Sequence, residues 1–457
     1  MTFQLEKIIF YALIFCLPLE ARHIFYSFSQ SFNEWLSLSF FATDFLVLIL
    51  LWLWLYRAGK KLIDQERRPL SWRQPEIWLA GFLFVSLSSV ALADNRWLAV
   101  YGWLKLVELA GLFLYVRSNL NKIFNLKIFW QAYVAGAVLQ SLVAIAQFFK
   151  QQSLGLKWLG ESPLSPDIDG VAKIVVGGAK IIRSYGLAPH PNILAAILVV
   201  AIFGLTWLFL FGRFEPPESG GESKIKKFFA RVCGIGMTKR EWAIFGTVFI
   251  IILAALFFTF SRSIMVIGFV LWLIWLIVLC KNKNYRKPIL GIFLLFAIGY
   301  SLLAIRYWPI FANRFSADTL INSQSASLRV HYNEVAMDLI FNNPMLGIGQ
   351  GNFVNNFSQY YSTLGTWVFQ PVHNIYLLIA SETGLIGLFI FLFFLALVFS
   401  GALRTGRPAA ENCFIYIYCF IMLTGLTDHF WWDLQQGQIL FWLMLGFLSA
   451  HSSMDRA

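Results

Sequence analysis

One histidine stands where a long polar segment ends and a long apolar run begins. His373 follows Gln370-Pro371-Val372 and precedes Asn374, after which the apolar run continues. A histidine at such a boundary stays hydrated enough to titrate, while the helix that follows fixes its position. Its reference pKa near 6.5 suits a general base. We therefore take His373 as the candidate catalytic residue, against the alternative that it only caps or orients the loop.

Two arginines at similar boundaries could bind an anion. Arg183 lies just before an apolar run, and Arg262 lies in the short segment Thr259-Phe260-Ser261-Arg262-Ser263 between two such runs. The forked guanidinium group matches phosphate oxygens, so both arginines are candidates for gripping a phosphate-rich headgroup. The alternative is that they reach outward to membrane lipid phosphates. A third arginine, Arg329, lies in the predicted loop helix with His331 and Glu334, where it has either a functional role or only a pairing with an acid.

Several acidic residues fall inside apolar runs, where a charge is costly. Glu382 follows His373 by nine residues, so on a helix it points to the opposite side and is expected to be a buried structural acid. Lys105 and Glu108 are spaced to share one helix face and to neutralise each other. Asp44 has no obvious partner in the sequence.

A second polar cluster lies near the carboxyl end of the chain. Asp428, His429 and Asp433 surround Trp431 and Trp432. The tryptophans are expected to anchor the chain at a membrane interface. A sugar-binding platform is the less favoured alternative.

Composition decides what kind of elements must position these residues. Of the 457 residues, 58% are hydrophobic and 13% are charged, whereas a soluble domain has about 25% charged residues. The chain is therefore an all-α polytopic membrane protein. The five cysteines show no metal-ligand spacing and lie outside the loops expected to face outward, so we expect neither disulfides nor a metal site.

Apolar runs of about 20 residues mark membrane-spanning helices. Twelve runs occur, at 8–19, 35–56, 77–93, 98–116, 128–149, 191–212, 242–260, 264–280, 289–307, 375–399, 413–428 and 437–450. Arg262 divides 242–280 into a tight hairpin, because a lone guanidinium facing lipid is unfavourable. The first run resembles a signal peptide in length, but it lacks a clear cleavage site, so we expect it to be retained.

The basic residues give the orientation. With the amino terminus inside, 24 of the 36 lysines and arginines fall in inside segments and 10 fall in outside loops. This bias follows the positive-inside rule and predicts twelve helices with both termini in the cytoplasm. It also argues against a nucleic-acid-binding surface, despite the net charge of +12. Two long outside segments result, at 150–190 and 308–374, and the second contains a helical stretch from Ala326 to Ile340.

Four short motifs occur in a fixed order along the chain. They are Arg183-Ser184-Tyr185-Gly186 with Pro191-Asn192, then Thr259-Phe260-Ser261-Arg262, then Asn343-Pro344-x-x-Gly347-x-Gly349-x-Gly351, and finally His373-Asn374 with Glu382-Thr383-Gly384. In this order, with a long outer loop before His373, the chain resembles the O-antigen ligase and O-antigen polymerase superfamily (the WaaL and Wzy type). The resemblance covers residues 180–390, which would form the catalytic region of a single membrane domain.

The resemblance implies an inverting, metal-independent glycosyltransferase of the GT-C type, without a cofactor, in the cytoplasmic membrane. Its donor would be a glycan on undecaprenyl diphosphate, used on the periplasmic or outer face. Carried over by position, Arg183 and Arg262 would hold the diphosphate, and His373 would deprotonate or orient the acceptor hydroxyl. Arg329 and Asn374 would help to bind substrate. The segment 308–374 would cover the site as an extracytoplasmic loop.

Three functions remain open on this basis. The first is a ligase that moves a lipid-linked glycan onto a lipid or glycan acceptor. The second is a polymerase that joins lipid-linked repeats, because the two activities share these motifs. A transporter of lipid-linked oligosaccharides is less favoured, because it requires ionisable residues across the midplane and paired broken helices. Here the distinctive polar residues collect at one side.

Overall fold

The computed structural model describes residues 2–30, 32–59, 71–212, 238–315, 320–360, 366–404 and 412–450. Within these ranges the chain is mostly helical, with two short β-hairpins. The helices are α1 Thr2–Cys16, α2 Ala42–Gly59, α3 Pro75–Ser89, α4 Arg96–Ile123, α5 Leu126–Lys150, α6 Pro191–Phe211, α7 Lys239–Phe258, α8 Arg262–Leu279, α9 Lys283–Arg306, α10 Trp308–Phe315, α11 Leu320–Asn342, α12 Phe353–Tyr360, α13 Ile375–Arg404, α14 Cys413–Thr424, α15 Phe430–Asp433 and α16 Gln435–Ala450. The strands are β1 Arg22–Ser27, β2 Ser37–Phe41, β3 Lys173–Val176 and β4 Ala179–Ile182.

The helices support a polytopic membrane protein. Each of the twelve predicted apolar runs overlaps one of these α-helices. Within the described ranges, eight helices are long and apolar enough to cross a membrane, and α14 is a shorter apolar helix. The all-α polytopic class is therefore confirmed, while the number of twelve spanning helices stays a prediction.

Helix α6 forms the centre of the bundle. Every residue of α6 except Leu208 is buried, as expected for a helix that is apolar on all sides. It packs against α5, α7 and α8, and α14 contacts it as well. Its amino-terminal end therefore holds a fixed position inside the protein, and this end carries His190 and Asn192.

The second predicted run begins too early in the sequence. Residues 37–41 form strand β2 instead of helix, paired antiparallel with β1 in a register that joins Arg22 to Phe41. Alternate residues of β2 are buried, which is the periodicity of a strand. In so short an apolar segment, the sequence pattern of a strand cannot be distinguished from that of a helix. Helix α2 begins only at Ala42.

The hairpin at Arg262 is confirmed. Helix α7 ends at Phe258 and α8 begins at Arg262, with Phe260 in the left-handed region at φ 47°. The predicted helical stretch in the segment 308–374 is confirmed as well, since α11 covers Leu320–Asn342 and packs against α13.

Helix α13 is broken in its first half by the glycine-rich turn. At Gly384 the backbone adopts φ 72° and ψ 177°, which opens the helical hydrogen-bond ladder. Ile348 N donates to Ser381 O at 2.9 Å, Gly349 N donates to Glu382 O at 3.0 Å, and Leu385 N donates to Pro344 O at 2.8 Å. The turn thus satisfies the backbone groups that the break exposes.

The close approach explains the glycines on both sides of this joint. A Cβ atom at Gly384 would lie 2.1 Å from Met345 O, and one at Gly347 would lie 2.5 Å from the Glu382 carbonyl carbon. The two motifs Gly347-x-Gly349-x-Gly351 and Glu382-Thr383-Gly384 therefore form one structural unit. This unit fixes the angle at which the amino-terminal part of α13, and His373 before it, meets the bundle.

Candidate active site

His373 lies between a tyrosine of α11 and a histidine of the loop before α15. Its ring stacks on Tyr332 with the centroids 5.5 Å apart and an interplanar angle of 5°. On another side it meets His429 at 4.8 Å and 90°. Tyr332 is held in turn by a hydrogen bond from its hydroxyl to Val368 O at 2.6 Å. The imidazole is therefore oriented by side chains far away in sequence.

Asp428 and His429 supply the partners that the sequence near His373 lacks. One ligand-type atom from each of His373, Asp428 and His429 lies within 4.8 Å of the other two. Asp428 Oδ1 accepts a hydrogen bond from His429 N at 2.9 Å. His429 Nδ1 lies 2.8 Å from the Asp433 carboxylate, which fixes the ring and its tautomer.

The electrostatic environment separates the roles of these groups. Burial lowers the pKa of His373 to about 3, with the charges of His429 and Arg329 acting in the same direction. Burial also acts to lower the pKa of His429, but Asp433 and Asp428 outweigh it and raise that pKa above its usual value. At neutral pH, His373 is thus neutral and able to accept a proton, while the two carboxylates favour the charged form of His429.

Asp428 is held as an anion by its surroundings. Burial acts to raise the pKa of Asp428, but the charges of His429 and Arg329 act in the opposite direction and favour the carboxylate. Asn192 Nδ2 donates to Asp428 Oδ2 at 2.6 Å. The carboxylate is therefore ionised and fixed next to His373, where it favours the protonated form of the imidazole.

Asn192 links this cluster to the first predicted arginine. Its Oδ1 accepts hydrogen bonds from Arg183 Nη2 and from Ser261 Oγ, both at 2.8 Å. Arg183 Nε also donates to Thr259 O at 2.6 Å. Arg183 is buried, and burial together with the charges of Arg314 and Arg329 lowers its pKa to about 9. These hydrogen bonds thus join the first and second motifs to Asp428, which lies close to His373 of the fourth motif.

Arg183 belongs to a group of four arginines around the site. Burial lowers the pKa of Arg314 to about 10, and the charges of Arg262 and Arg329 add to that effect, so these side chains lie within electrostatic reach of one another. Such a group of like charges is costly unless an anion neutralises it. Arg262 and Arg329 are exposed and open to a ligand, whereas Arg183 is turned into the protein.

Arg262 and Arg314 also stand at an apolar cavity, which we call the arginine cavity. It has a volume of about 280 Å³ and lies among α6, α7, α8, α9 and α10. Its other lining residues include Val199, Leu253, Met265, Phe269, Trp272 and Phe296. A cavity that is apolar along its length and carries two guanidinium groups suits a ligand with a hydrocarbon chain and an anionic head.

His373 and His429 line a second, more polar cavity of about 150 Å³, which we call the histidine cavity. His190, Asp428, Tyr185 and Gln370 line it too. His190 caps α6 by accepting a hydrogen bond from Asn192 N at 3.3 Å through Nδ1. Burial, followed by the charge of Arg183, lowers its pKa to about 3, which keeps that nitrogen able to accept.

Asn374 has a structural contact in addition to its predicted role. Its Oδ1 accepts hydrogen bonds from Tyr376 N at 2.9 Å and from Leu377 N at 3.2 Å. This is the arrangement of an N-cap and stabilises the start of α13. Its role in binding substrate stays a prediction.

The acids inside the bundle find partners that sequence spacing does not reveal. Lys105 Nζ lies 3.8 Å from Glu108, as the spacing predicts, but it lies only 2.5 Å from Asp44. Gln435 donates to Asp44 as well. Asp44 is therefore neutralised from α4 and α16, which corrects the expectation that it has no partner. Glu382 is buried, as expected.

His373, Asp428 and His429 are also the one group within the described ranges that could offer a metal ion three ligands. His429 would bind through Nε2, because Nδ1 faces Asp433, and such a carboxylate contact is common behind metal-bound histidines. The charge of Arg329, which acts on both Asp428 and His373, opposes a divalent cation at this place. The donor set therefore suits proton transfer better than metal binding.

Sequence reasoning missed Arg314 and the pairing of His373 with Asp428 and His429. The outer cluster of Asp428, His429 and Asp433 was visible, but no spacing rule connects it to a histidine 55 residues earlier. The one available signal was the predicted topology, because the charge pattern places both His373 and the Asp428 cluster on the outer side of the membrane.

Comparison with known proteins gives one match. A scan against protein-family models matched residues 247–392 to the family described as O-antigen ligase. A search of curated proteins found no match to the chain. The matched region runs from α7 into α13 and includes Arg262, Arg314, Arg329 and His373, but neither Arg183 nor Asp428. Residues 247–392 therefore form a region similar to the O-antigen ligase family, which agrees with the superfamily that the motifs indicate.

Proposed function

We propose that the protein transfers a glycan from a polyprenyl diphosphate, of the undecaprenyl type, to a hydroxyl group of a lipid or glycan acceptor. The observation that carries this proposal is that His373 and the group of arginines lie at the same end of the bundle, where the charge of Arg329 acts on His373. Neutral His373 lies beside ionised Asp428, and the arginine cavity, with Arg262 and Arg314 at its wall, borders the same central helix α6. A base and an anion site are the two elements that such a transfer needs.

The arginines suit the leaving group. As the bond between the anomeric carbon and the diphosphate oxygen breaks, negative charge grows on that oxygen. Guanidinium groups fixed beforehand can stabilise this charge without a metal ion. We assign this role to Arg262, Arg314 and Arg329. In the same proposal, the arginine cavity takes part of the hydrocarbon chain of the donor. Arg183 would stabilise the site indirectly, through its hydrogen bond to Asn192.

His373 suits the attacking group. It accepts the proton of the acceptor hydroxyl as the oxygen bonds to the anomeric carbon, and Asp428 stabilises the imidazolium that forms. One displacement from the side opposite the diphosphate inverts the anomeric configuration. The low pKa of the free imidazole reflects burial and surrounding cations, so an anionic diphosphate among the arginines would raise it. Base strength would thus depend on donor occupancy.

The first test uses purified protein in nanodiscs with an undecaprenyl-diphosphate-linked oligosaccharide and candidate acceptors. We expect His373→Ala to lower transfer by about 10²-fold or more, which is the usual size of general base catalysis. The matched control is His23→Ala, since His23 is exposed on β1 and lines neither the arginine cavity nor the histidine cavity. Unchanged transfer by a folded His373→Ala variant would contradict the catalytic role.

A gene deletion distinguishes ligase from polymerase. We expect loss of a ligase to leave full-length polymer on the lipid diphosphate. Loss of a polymerase would leave single repeats, and that result would replace the ligase proposal with a polymerase. Deletion that left both products unchanged would contradict both.

A further inference from the structure

A third cavity lies on the other side of the segment that carries His429. It has a volume of about 100 Å³, and we call it the amide cavity. It lies between the start of α4, strand β2, the glycine turn 349–351 and the start of α16. Its lining residues include Trp35, Ser39, Tyr101, Gln350, Gln435 and Gln438.

The segment 429–438 is a wall between the amide cavity and the histidine cavity. His429, Phe430 and Leu434 face the histidine cavity. Trp432 and Asp433 face the amide cavity. Because His429 and Asp433 are directly paired, one charged contact runs through the wall from one cavity to the other.

Two further residues line both cavities at once. Glu34 and Trp35 appear in the lining of each, and the Trp35 ring meets the His429 ring at 5.5 Å and 76°. The indole Nε1 of Trp35 is buried and has no hydrogen-bond partner among the described residues. A buried donor of this kind is costly unless something satisfies it, so the shared edge of the two cavities has an unused donor.

The chemistry of the amide cavity fits a sugar ring. A pyranose presents hydroxyl groups that both donate and accept, together with an apolar face of C–H groups. Amide and carboxylate side chains serve the hydroxyl groups, and indole or phenol rings cover the apolar face while keeping a polar edge. The cavity offers both classes of group side by side.

The same cavity does not suit the diphosphate. Among the described residues that line it, none is an arginine. The lysine in its wall, Lys105, is paired with Asp44, and Glu34, Glu382 and Asp433 add acidic groups. Arg262 and Arg314 line the arginine cavity instead, and the charge of Arg329 acts on Asp428 and His373 in the histidine cavity. A neutral glycan can enter where a diphosphate is disfavoured.

We propose that the amide cavity binds the acceptor glycan, with the sugar that carries the attacking hydroxyl at the edge formed by Glu34 and Trp35. This inference rests on the proposed glycosyl transfer and adds a place for its second substrate. Binding both substrates in fixed positions next to the catalytic base accelerates the reaction between them. It assigns part of acceptor selection to residues 34–39 and 432–438, which lie outside the matched region at residues 247–392, and part to Gln350 and Glu382 within it.

The test compares two mild variants with a matched control. Gln438→Leu keeps the size of the side chain and removes its amide, whose Oε1 is the group offered to a sugar because Nε2 donates to Trp432 O. Ser39→Ala removes one buried hydroxyl on β2. Gln359→Leu is the control, because Gln359 is exposed on α12 and lines none of the three cavities. Losing one hydrogen bond should raise the acceptor KM about three- to tenfold. The donor KM should not change, nor should release of glycan to water without acceptor.

Two outcomes would overturn the proposal. One is an acceptor KM in both variants equal to that of Gln359→Leu. The other is a rise in the donor KM alone, which would assign the cavity to the donor glycan.

A second measurement does not depend on transferase activity. Saturation-transfer NMR with methyl glycosides of glucose, galactose and N-acetylglucosamine should show contact with wild-type protein in nanodiscs and weaker contact with Gln438→Leu. Equal signals from both proteins, or none from either, would contradict a sugar site. If wild-type protein transfers no glycan but binds these glycosides through Gln438, the proposed function fails while the sugar site stands.

Discussion

At the scale of single residues, the site depends on opposite shifts in two neighbouring histidines. His373 has a lowered pKa because it is buried near cations, whereas His429 has a raised pKa because Asp433 and Asp428 outweigh its burial. The two rings therefore favour different protonation states at the same pH. Asp428 lies next to both and acts on both in the same direction, which makes it the residue whose charge can be tested most directly.

Replacing Asp428 with asparagine keeps the shape of the side chain and removes its charge. We expect kcat to fall about 10²-fold or more, with little change in the donor KM, because the forming His373 imidazolium loses its stabilising anion. The same change should lower the pKa of His429, since Asp428 now raises it. His429 in the variant would then lose its positive charge at a lower pH than in the wild type. NMR titration of the imidazole measures this change.

The control for this variant is Asp338→Asn, which removes an exposed carboxylate from α11. It should change neither kcat nor the His429 titration. A normal kcat in Asp428→Asn, or a His429 pKa that stays in place, would contradict the electrostatic coupling.

At the scale of elements, the joint between the glycine turn and α13 determines where His373 stands. Helix α13 cannot run straight through Gly384, because backbone groups of the turn 344–349 take the hydrogen bonds that a continuous helix would make there. The break begins with the backbone of Ser381 and Glu382, so a change in the joint changes the angle of the segment that presents the imidazole. The glycines are needed for this geometry, since side chains are excluded on both sides.

Substituting Gly384 with alanine should destabilise the protein. The backbone conformation at this position is almost restricted to glycine and costs about 1–3 kcal/mol for other residues. The overlap of the new Cβ with Met345 O adds to this. We expect a lower midpoint of thermal unfolding in detergent and loss of transfer. Gly246→Ala on α7 is the control, because its Cβ would meet only Leu295 at 3.8 Å, and equal stability of the two variants would contradict this account.

At the scale of the whole molecule, the loops that build the site all meet at one end of the helical bundle. The site draws on the start of α6, the hairpin before α8, the segment between α9 and α13, and the loop before α15. The charge pattern of the sequence predicts that the opposite end of the bundle faces the cytoplasm. The site end is thus expected to face the periplasm or the cell exterior, where a lipid-linked glycan is available for transfer.

Cysteine labelling tests this orientation. In a variant without the native cysteines, Gln359→Cys should react with a membrane-impermeant maleimide in intact spheroplasts. Lys283→Cys, at the start of α9, should react only after permeabilisation. The two positions lie at opposite ends of the bundle in the predicted topology, so the reverse pattern would contradict an outward-facing site.

The sequence by itself determined that this protein lies in a membrane, and it indicated the types of residue in the candidate site. A chain with this share of apolar residues must be covered by lipid, and the spacing of apolar runs locates the helices. Local chemistry also identified the tight hairpin at Arg262, because in a continuous helix the guanidinium would face hydrocarbon. His373, Arg183 and Arg262 were identified by type and by position at boundaries, and the family match confirms the superfamily that the motifs indicate.

The tertiary structure decided which of these groups meet. The approach of His429 and Asp428 to His373 depends on how α14, α15 and α16 pack, and side-chain packing leaves no periodic signal in a sequence. The same holds for the ion pair between Lys105 and Asp44 and for Arg314, which looks like any loop arginine until α10 folds against the site. Strand β2 was taken for helix because so short a stretch fits both periods. Partners far apart in sequence are set by packing energies summed over the whole bundle, and only the folded chain reveals them.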